Sequence, residues 1–427
     1  MVRTPARKVT AEVFLGAAAQ PVGHLSFVQD GRREYSAFAY QPAWLERPDR
    51  FQVSPDLPLL GGWVTRRAPS ALESPFPHAI ADTAPDRWGK RVIRRAHAKR
   101  RAEEPDLDEI TAFDLLAAVD DFSRIGALRL ADGQGRFLRA AERHRTPQLL
   151  DLGEIARSVR RLEQGTESTQ DLDYLMGKAT SLGGLRPKCT VLEADGALAL
   201  GKFPSVSDER SVVRGEVLAL KLVDPQGVRA AAARVVLVDD IEIAVIRRFD
   251  RTAAGARLPY LSGGSLLQAR RDEDRSYTEL VDAIRATSPQ PLADVRELWR
   301  RLLINHLITN TDDHLWNVGF LYAGNGQWSL APAFDVNPFP DKARESKTWL
   351  SEDTGPITSL EQLLEGARYF GLAREDAEGM AGTVGRELAR WREVATSSDV
   401  GMSARDLADF EPAFEHACAH AARALAR

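Results

Sequence analysis

The sequence predicts an α+β protein with a β-rich amino-terminal part, an α/β middle and a mostly helical carboxy-terminal part. Three observations carry this. Between Ala11 and Tyr40, the segments EVFLG, VGHLSFV and EYSAFAY place apolar residues between polar breaks and Gly31, as a small antiparallel sheet requires. Between Cys189 and Phe249, short strand-like runs flank a helical stretch. Beyond Ser265, helical spacing dominates, broken by one polar cluster at Asn310–His314. The boundaries that follow are 1–110, 111–262 and 263–427.

At 427 residues the chain can hold about two or three domains, each burying its own core. Lys and Arg total 57 against 61 for Asp and Glu, a formal charge of −4, so no overall basic field favours nucleic acid or membrane. Cys189 and Cys418 form no zinc spacing, and a disulfide framework is unnecessary at this size. No apolar run approaches the roughly 18 residues of a membrane span. A soluble, unprocessed cytoplasmic protein is the expectation.

After the opening sheet, Gln52–His78 is dense in proline and reads as an irregular surface connection. Asp86–Arg101 reads as a strongly basic helix. A nucleic-acid contact is conceivable there, but a solvated face answered by Glu103, Glu104, Asp106, Asp108 and Glu109 is the simpler reading. Thr111–Val119 is a further helix, and FSRIGALRL to Phe137 a strand pair turning at Asp132-Gly133. Helical spacing returns at Leu150–Glu163. The stretch ATSLGGLRPK, Ala179–Lys188, offers backbone NH groups for phosphate or hydroxyls that could accept one; a plain turn before the strand Cys189–Leu192 is the alternative.

Lys202 stands inside the apolar strand Ala197–Phe203. It is either a strand-edge charge reaching water or a phosphate ligand, with Glu216 on the helix Val212–Leu222 as candidate counter-charge. Arg234–Val238 and Ile241–Phe249 form a hairpin turning at Asp239-Asp240. His416 and His420 share a helix face with no third ligand evident, so an ordinary terminal helix is preferred.

Leu298–Asn337 is the most informative stretch. Leu298, Leu302, Leu303 and Leu307 mark a helix, followed by Asn310-Thr311-Asp312-Asp313-His314. Val318–Tyr322 and Trp328–Leu330 then flank Gly324-Asn325-Gly326, residues that tolerate the positive φ of a tight hairpin. Asn317 enters the first strand and Asp335 follows the second, so both should lie at one end of the hairpin near Asp312. Two carboxylates and an amide oxygen can hold Mg²⁺ on phosphate oxygens while one carboxylate orients a hydroxyl.

With these pieces in place the chain resembles the HipA family, the serine/threonine kinase toxins of bacterial toxin–antitoxin systems, over nearly its whole length. AEVFLG, VGHLSFV and SAFAYQPAWL resemble the family's amino-terminal subdomain, and DLLAAVDDFSRIGALRL the join to the kinase core. SLGGLRPK resembles the autophosphorylation loop, GKFP the nucleotide-lysine strand, RRFDR the adenine-side connection, NTDDHLWN the catalytic loop and LAPAFDV the metal-binding segment.

The resemblance implies a two-lobed kinase binding ATP and Mg²⁺ between its lobes. It gives Asp312 as the catalytic aspartate, Asn317 and Asp335 as metal ligands, and Lys202 as the ATP-contacting lysine. Phe249, Arg247, His314 and Phe334 fall at nucleotide-side positions, and Ser181 at the autophosphorylated serine. It also implies a HipB-like DNA-binding antitoxin as partner and a protein substrate, with an aminoacyl-tRNA synthetase the expected class. The alternative is a kinase-fold protein acting mainly by binding that antitoxin. Trp316, Arg247 and Leu185 depart from the usual residues of the family, Trp316 standing where many members have lysine.

Overall fold

The computed structural model describes residues 6–68, 70, 73–140, 151–178 and 186–425. Thr180, Ser181 and Leu185 of the SLGGLRPK loop lie outside them. The chain forms two compact units. One is Met1–Val206 with Val238–Ile241 and Asp250–Leu261; the other is Ser207–Leu237 with Glu242–Phe249 and Ser262–Arg427.

In the first unit, β1 (Arg7–Leu15), β2 (Gln20–Asp30), β3 (Arg33–Tyr40), β4 (Val64–Arg67) and β5 (Leu128–Ala131) make one antiparallel sheet in the order β4-β3-β2-β1-β5. Alternation buries Ala11, Val13, Leu25, Phe27 and Phe38 on the core side, because successive side chains leave opposite faces. Gly23 is required where β2 crosses β3, since a Cβ there would lie 2.5 Å from the Ala39 carbonyl. Under the sheet, Phe27 meets Phe76 and Phe113 with ring centres 5.7 and 5.8 Å apart. The helix bearing Phe113, Ala112–Ala117, starts with a Thr111/Asp114 capping box, and Asp114 also pairs with Arg7 of β1 at 2.8 Å.

Two local expectations change. The proline-rich connection contains β4, recruited by pairing Phe38 with Val64 and Tyr35 with Arg67. The segment around Phe137 returns to β5 only as a single bridge at Ala131, while β5 takes β1 as its ladder partner. Tertiary pairing decided both, and neither partner is near in sequence.

The basic helix, Arg87–Glu103, is capped by Asp86, whose carboxylate accepts from Gly89 N at 2.5 Å. It buries Trp88, Val92, Ile93 and Ala96 and exposes Arg91 and Arg94. Part of its charge is answered from Glu167, just before the helix Thr169–Lys178. Arg95 pairs with Glu167 at 2.6 Å, Lys99 donates to the Glu167 carbonyl at 2.6 Å, and Arg101 reaches the expected acidic run at Glu109, 3.8 Å away.

Further along, β6 (Lys188–Leu192) pairs with β7 (Leu198–Lys202) so that Lys188 stands opposite Lys202. Lys188 is buried 3.5 Å from Asp86, and burial pushes that carboxyl up to about 6.

The second unit is built around the helix Pro291–Leu307, whose Leu298, Trp299, Leu302, Leu303 and Ile304 are all within 2 % of full burial. Burying each such side chain contributes about 1.5–3 kcal/mol. Trp299 Nε1 donates to the Leu363 carbonyl at 3.2 Å. The same helix carries Asp294, Glu297 and Arg301 inward. Arg229 binds Asp294 at 2.7 Å and Glu297 at 2.8 Å, and Arg301 pairs with Glu297 and donates to the Ala331 carbonyl at 2.6 Å. These charges form one network, in which the buried Arg301 Nε is left without a partner. Strands Gly319–Gly324 and Gln327–Leu330 form the expected hairpin, with φ of 51° at Asn325 and 75° at Gly326. Asp239 and Asp240 also take positive φ, 50° and 61°, between the strands Ala233–Val238 and Ile241–Arg247. Among the described residues no helix is long and apolar enough to cross a membrane. His416 caps the helix Ala417–Ala424 and contacts the Leu307 carbonyl at 2.9 Å, a structural use of its ring.

Candidate active site

The loop from Thr309 to Asn317 begins where the helix Pro291–Leu307 ends. Thr309 turns the chain with a φ of 56°. Asn310 then fastens the turn back to the helix: its N donates to the Asn305 carbonyl at 2.7 Å and its Nδ2 to Asn305 Oδ1 at 3.0 Å. After Asp312, a single 3₁₀ turn at Leu315–Asn317 is closed by Asn317 N donating to the His314 carbonyl at 2.8 Å. The Asn317 side chain reaches back, its Nδ2 donating to the Asp312 carbonyl at 2.7 Å. That bond uses the amide nitrogen of Asn317, so its oxygen is the atom that could serve a cation.

Asp335 arrives from the other end of the hairpin. Ala333 is held between two backbone bonds to the segment after Val228, donating to the Arg229 carbonyl at 2.7 Å and accepting from Ala231 N at 2.9 Å. Phe339 N, four residues beyond Asp335, donates to the Thr309 carbonyl at 3.0 Å. Between these anchors Asp335 adopts a φ of 55°, uncommon for a side chain other than glycine but tolerated by Asp, and accepts from Asn337 Nδ2 at 3.4 Å. Asn317, Asp335 and Phe334 line one cavity of about 30 Å³ together with Asn305, Asn310, Asp313, Tyr277 and Arg301, over an apolar floor that includes Leu298, Leu302 and Val318.

Asp313 behaves unlike its neighbour. It is buried, accepts from Tyr277 Oη at 2.9 Å and Lys347 N at 2.7 Å, and its carbonyl accepts from Tyr277 Oη at 2.8 Å and Thr348 Oγ1 at 2.9 Å. Burial pushes its carboxyl up to about 6, against the hydrogen bonds that favour the charged form. Asp312 instead faces outward, paired with Lys347 Nζ and 4.0 Å from His314 Nε2. Burial holds His314 below the usual imidazole range, overriding the attraction of Asp312.

Trp316 lies over the start of the short helix Gly263–Leu266. A Cβ on Gly264 would fall 2.5 Å from the indole, which explains a glycine there. Arg271 stacks its guanidinium 4.3 Å from the indole centre, and His314 meets the ring edge-on at 6.2 Å. Where lysine stands in many resembling sequences, this chain thus builds an aromatic platform.

Of the other residues named from sequence, Phe249 packs on Phe334 with ring centres 5.5 Å apart, and Arg247 is exposed at the end of its strand. Both belong to the second unit, as does Glu216, buried on the helix Val212–Val223. Lys202 is buried on β7 in the first unit. Sequence reasoning did not single out Tyr277, Asp313 as a staple, or Lys347. The visible trace of Lys347 is a cation just before the short strand that begins at Trp349, but nothing local ties it to a loop 35 residues earlier.

Among the described residues no three His, Cys, Asp or Glu side chains cluster as a metal cage. The donor set is instead one carboxylate, Asp335, and one amide oxygen, Asn317. An oxygen-only pair of this kind suits Mg²⁺, which keeps waters and takes phosphate oxygens for the rest of its shell. A buried acceptor without a partner, Asn337 Oδ1, lies on the residue that donates to Asp335.

Comparison with known proteins agrees with this fold. Residues 180–392 match the HipA-like C-terminal domain and residues 11–131 the HipA N-terminal domain. The chain belongs to the HipA family. HipA of Shewanella oneidensis MR-1, solved as a toxin–antitoxin complex with HipB and operator DNA, shares the fold at a TM-score of 0.62 and 17% identity, covering 97% of this chain and 96% of that one. The expected α+β architecture is thereby borne out. The Helicobacter pylori proinflammatory kinase CtkA is more remote, at a TM-score of 0.44 and 16% identity over 57% of this chain and 93% of that one. A Haemophilus influenzae protein, named only provisionally as a kinase, is 36% identical over 69 residues, which is 16% of this chain and 20% of that protein.

Proposed function

We propose that this HipA-family chain is an ATP-dependent serine/threonine protein kinase, the toxin of a toxin–antitoxin pair. The observation that carries the proposal is the arrangement around the hairpin. Asp312 and Asn317 share one loop locked by the 2.7 Å Asn317–Asp312 bond, and Asn317 lines the same cavity as Asp335. Phosphoryl transfer asks little covalent chemistry of a protein; positioning and charge stabilisation suffice. In this role Asp312 orients the acceptor hydroxyl and takes its proton. Asn317 and Asp335 would hold Mg²⁺, which when bound neutralises phosphate charge. Phe249 and Phe334, packed on each other, supply an apolar surface suited to a purine, with Arg247 and His314 on the nucleotide side. Lys202 is the proposed phosphate contact, and Ser181 the site of self-phosphorylation. About two negative charges added at Ser181 would oppose those of a bound nucleotide.

The Shewanella HipA structure contains HipB and operator DNA, which supports a HipB-like DNA-binding antitoxin as this chain's partner. The protein substrate is expected to be an aminoacyl-tRNA synthetase, following the family. Calorimetric titration with a non-hydrolysable ATP analogue tests the nucleotide part. Binding should tighten with Mg²⁺ in the parent and lose that Mg²⁺ dependence in Asp335→Ala; a parent blind to the analogue would refute the proposal. Peptide mapping after incubation with ATP should place phosphate on Ser181, and phosphate found on Thr180 instead would overturn that assignment.

A further inference from the structure

We propose that Lys347 is a positioning residue for phosphoryl transfer, its ammonium group holding the Asp312 carboxylate in the orientation from which it engages the acceptor hydroxyl. The inference rests on the kinase reading of Asp312 and adds a residue to it. Lys347 Nζ pairs with Asp312 Oδ1, yet the lysine side chain is 54% exposed and the aspartate 33%. An ion pair of that kind contributes little to stability and is screened by salt. Stability alone therefore does not account for the way the lysine is held.

Its main chain is anchored from inside. Lys347 N donates to Asp313 Oδ1 at 2.7 Å, Thr348 Oγ1 donates to the Asp313 carbonyl at 2.9 Å, and Trp349 N donates to the Arg275 carbonyl at 2.9 Å. Adjacent carboxylates thus grip one residue: Asp313, buried, holds its backbone, and Asp312, at the surface, meets its ammonium. His314 Nε2 also lies 4.0 Å from Asp312, but burial holds that imidazole below its usual range, whereas the ammonium of Lys347 pairs with Asp312 directly.

During transfer, the acceptor oxygen forms a bond to the γ-phosphorus. The bond from that phosphorus to the bridging oxygen breaks, with its electron pair leaving on ADP. The hydroxyl proton passes to Asp312 and then to water. A carboxylate free to rotate would lose the geometry on which this depends.

The test uses the full chain, labelled ATP, Mg²⁺ and myelin basic protein as a generic acceptor. Lys347→Met should lower the saturating rate about 10- to 100-fold, with the ATP concentration at half-saturation moving less than about threefold, as expected for a group acting in the transition state. Lys347→Arg should restore the rate to within about fivefold of the parent, since the charge returns. The double variant Asp312→Asn/Lys347→Met should be no slower than Asp312→Asn alone, because the lysine acts through the aspartate. If Lys347→Met keeps the parent rate while Asp312→Asn loses it, this inference falls and the kinase reading stands. An additive double variant, or a loss that arginine does not rescue and that tracks a lowered melting temperature, also overturns it. A parent that transfers no phosphate removes both.

Discussion

Replacing Tyr277 by phenylalanine removes one hydroxyl from the interior, and the consequence should depend on pH. Tyr277 is 1% exposed and donates to both the carbonyl and the carboxylate of Asp313, at 2.8 and 2.9 Å. A hydrogen bond to a charged group is worth about 1.5–3 kcal/mol and one between neutral groups about 0.5–1.5 kcal/mol. Burial raises the Asp313 carboxyl to about 6 in the folded protein, above its ordinary value. The folded state therefore holds this proton more tightly than the unfolded one. The stability so gained is complete below the ordinary carboxyl range and is lost as pH rises through about 6. Tyr277 favours the charged form, so its removal pushes Asp313 higher still and deepens the loss at neutral pH. With about 2–4 °C per kcal/mol in a unit of this size, Tyr277→Phe should lower the melting temperature by roughly 3–12 °C at pH 7.5 and by about half that at pH 5. Differential scanning calorimetry of parent and variant at both pH values checks this. An equal deficit at the two pH values, or a larger one at pH 5, would refute the assignment of Asp313 as an ionised buried acceptor.

His306 provides the opposite sign. It is buried, its Nε2 lacks a partner, and desolvation lowers it to about 4, so the unfolded chain takes up a proton first as pH falls below the usual imidazole value. His306→Gln should shrink the stability lost between pH 7.5 and 4.5 by about 1–3 kcal/mol, measured by urea unfolding; an unchanged slope contradicts it. Gly264→Ala would place a Cβ 2.5 Å from the Trp316 indole and should cost about 1–3 kcal/mol with slower phosphoryl transfer, both relieved when Trp316→Ala is added. Ser276→Ala removes the capping box of the helix Tyr277–Thr287 and should cost about 1 kcal/mol in a melting experiment without changing ATP-analogue affinity.

Local chemistry made much of this legible in the sequence. The Gly324-Asn325-Gly326 turn, the helical spacing from Leu298 and the Asp239-Asp240 turn each rest on residues within a few positions of one another, and the structure has the expected elements there. Asn317 and Asp335 could be put at one end of a hairpin because the hairpin itself was readable. What was not readable depends on distant partners. β4 is a strand only because β3 offers it an edge, and the basic helix meets Glu167, far along the chain, as well as Glu109 of the acidic run that follows it. Asp313 looked like one more polar turn residue beside Asp312, since burial, which separates their roles, has no local sequence mark. Lys347 reached the loop through the backbone grip of Asp313, a contact that no spacing predicts.

The most direct test of the kinase reading is phosphate transfer from γ-labelled ATP by the purified chain, compared with its Asp312→Ala and Asp335→Ala variants. Transfer should require Mg²⁺ and fall at least about 100-fold in each variant, because one removes the group that orients the hydroxyl and the other a ligand for the metal. Label incorporated at the parent rate by Asp312→Ala would contradict the account.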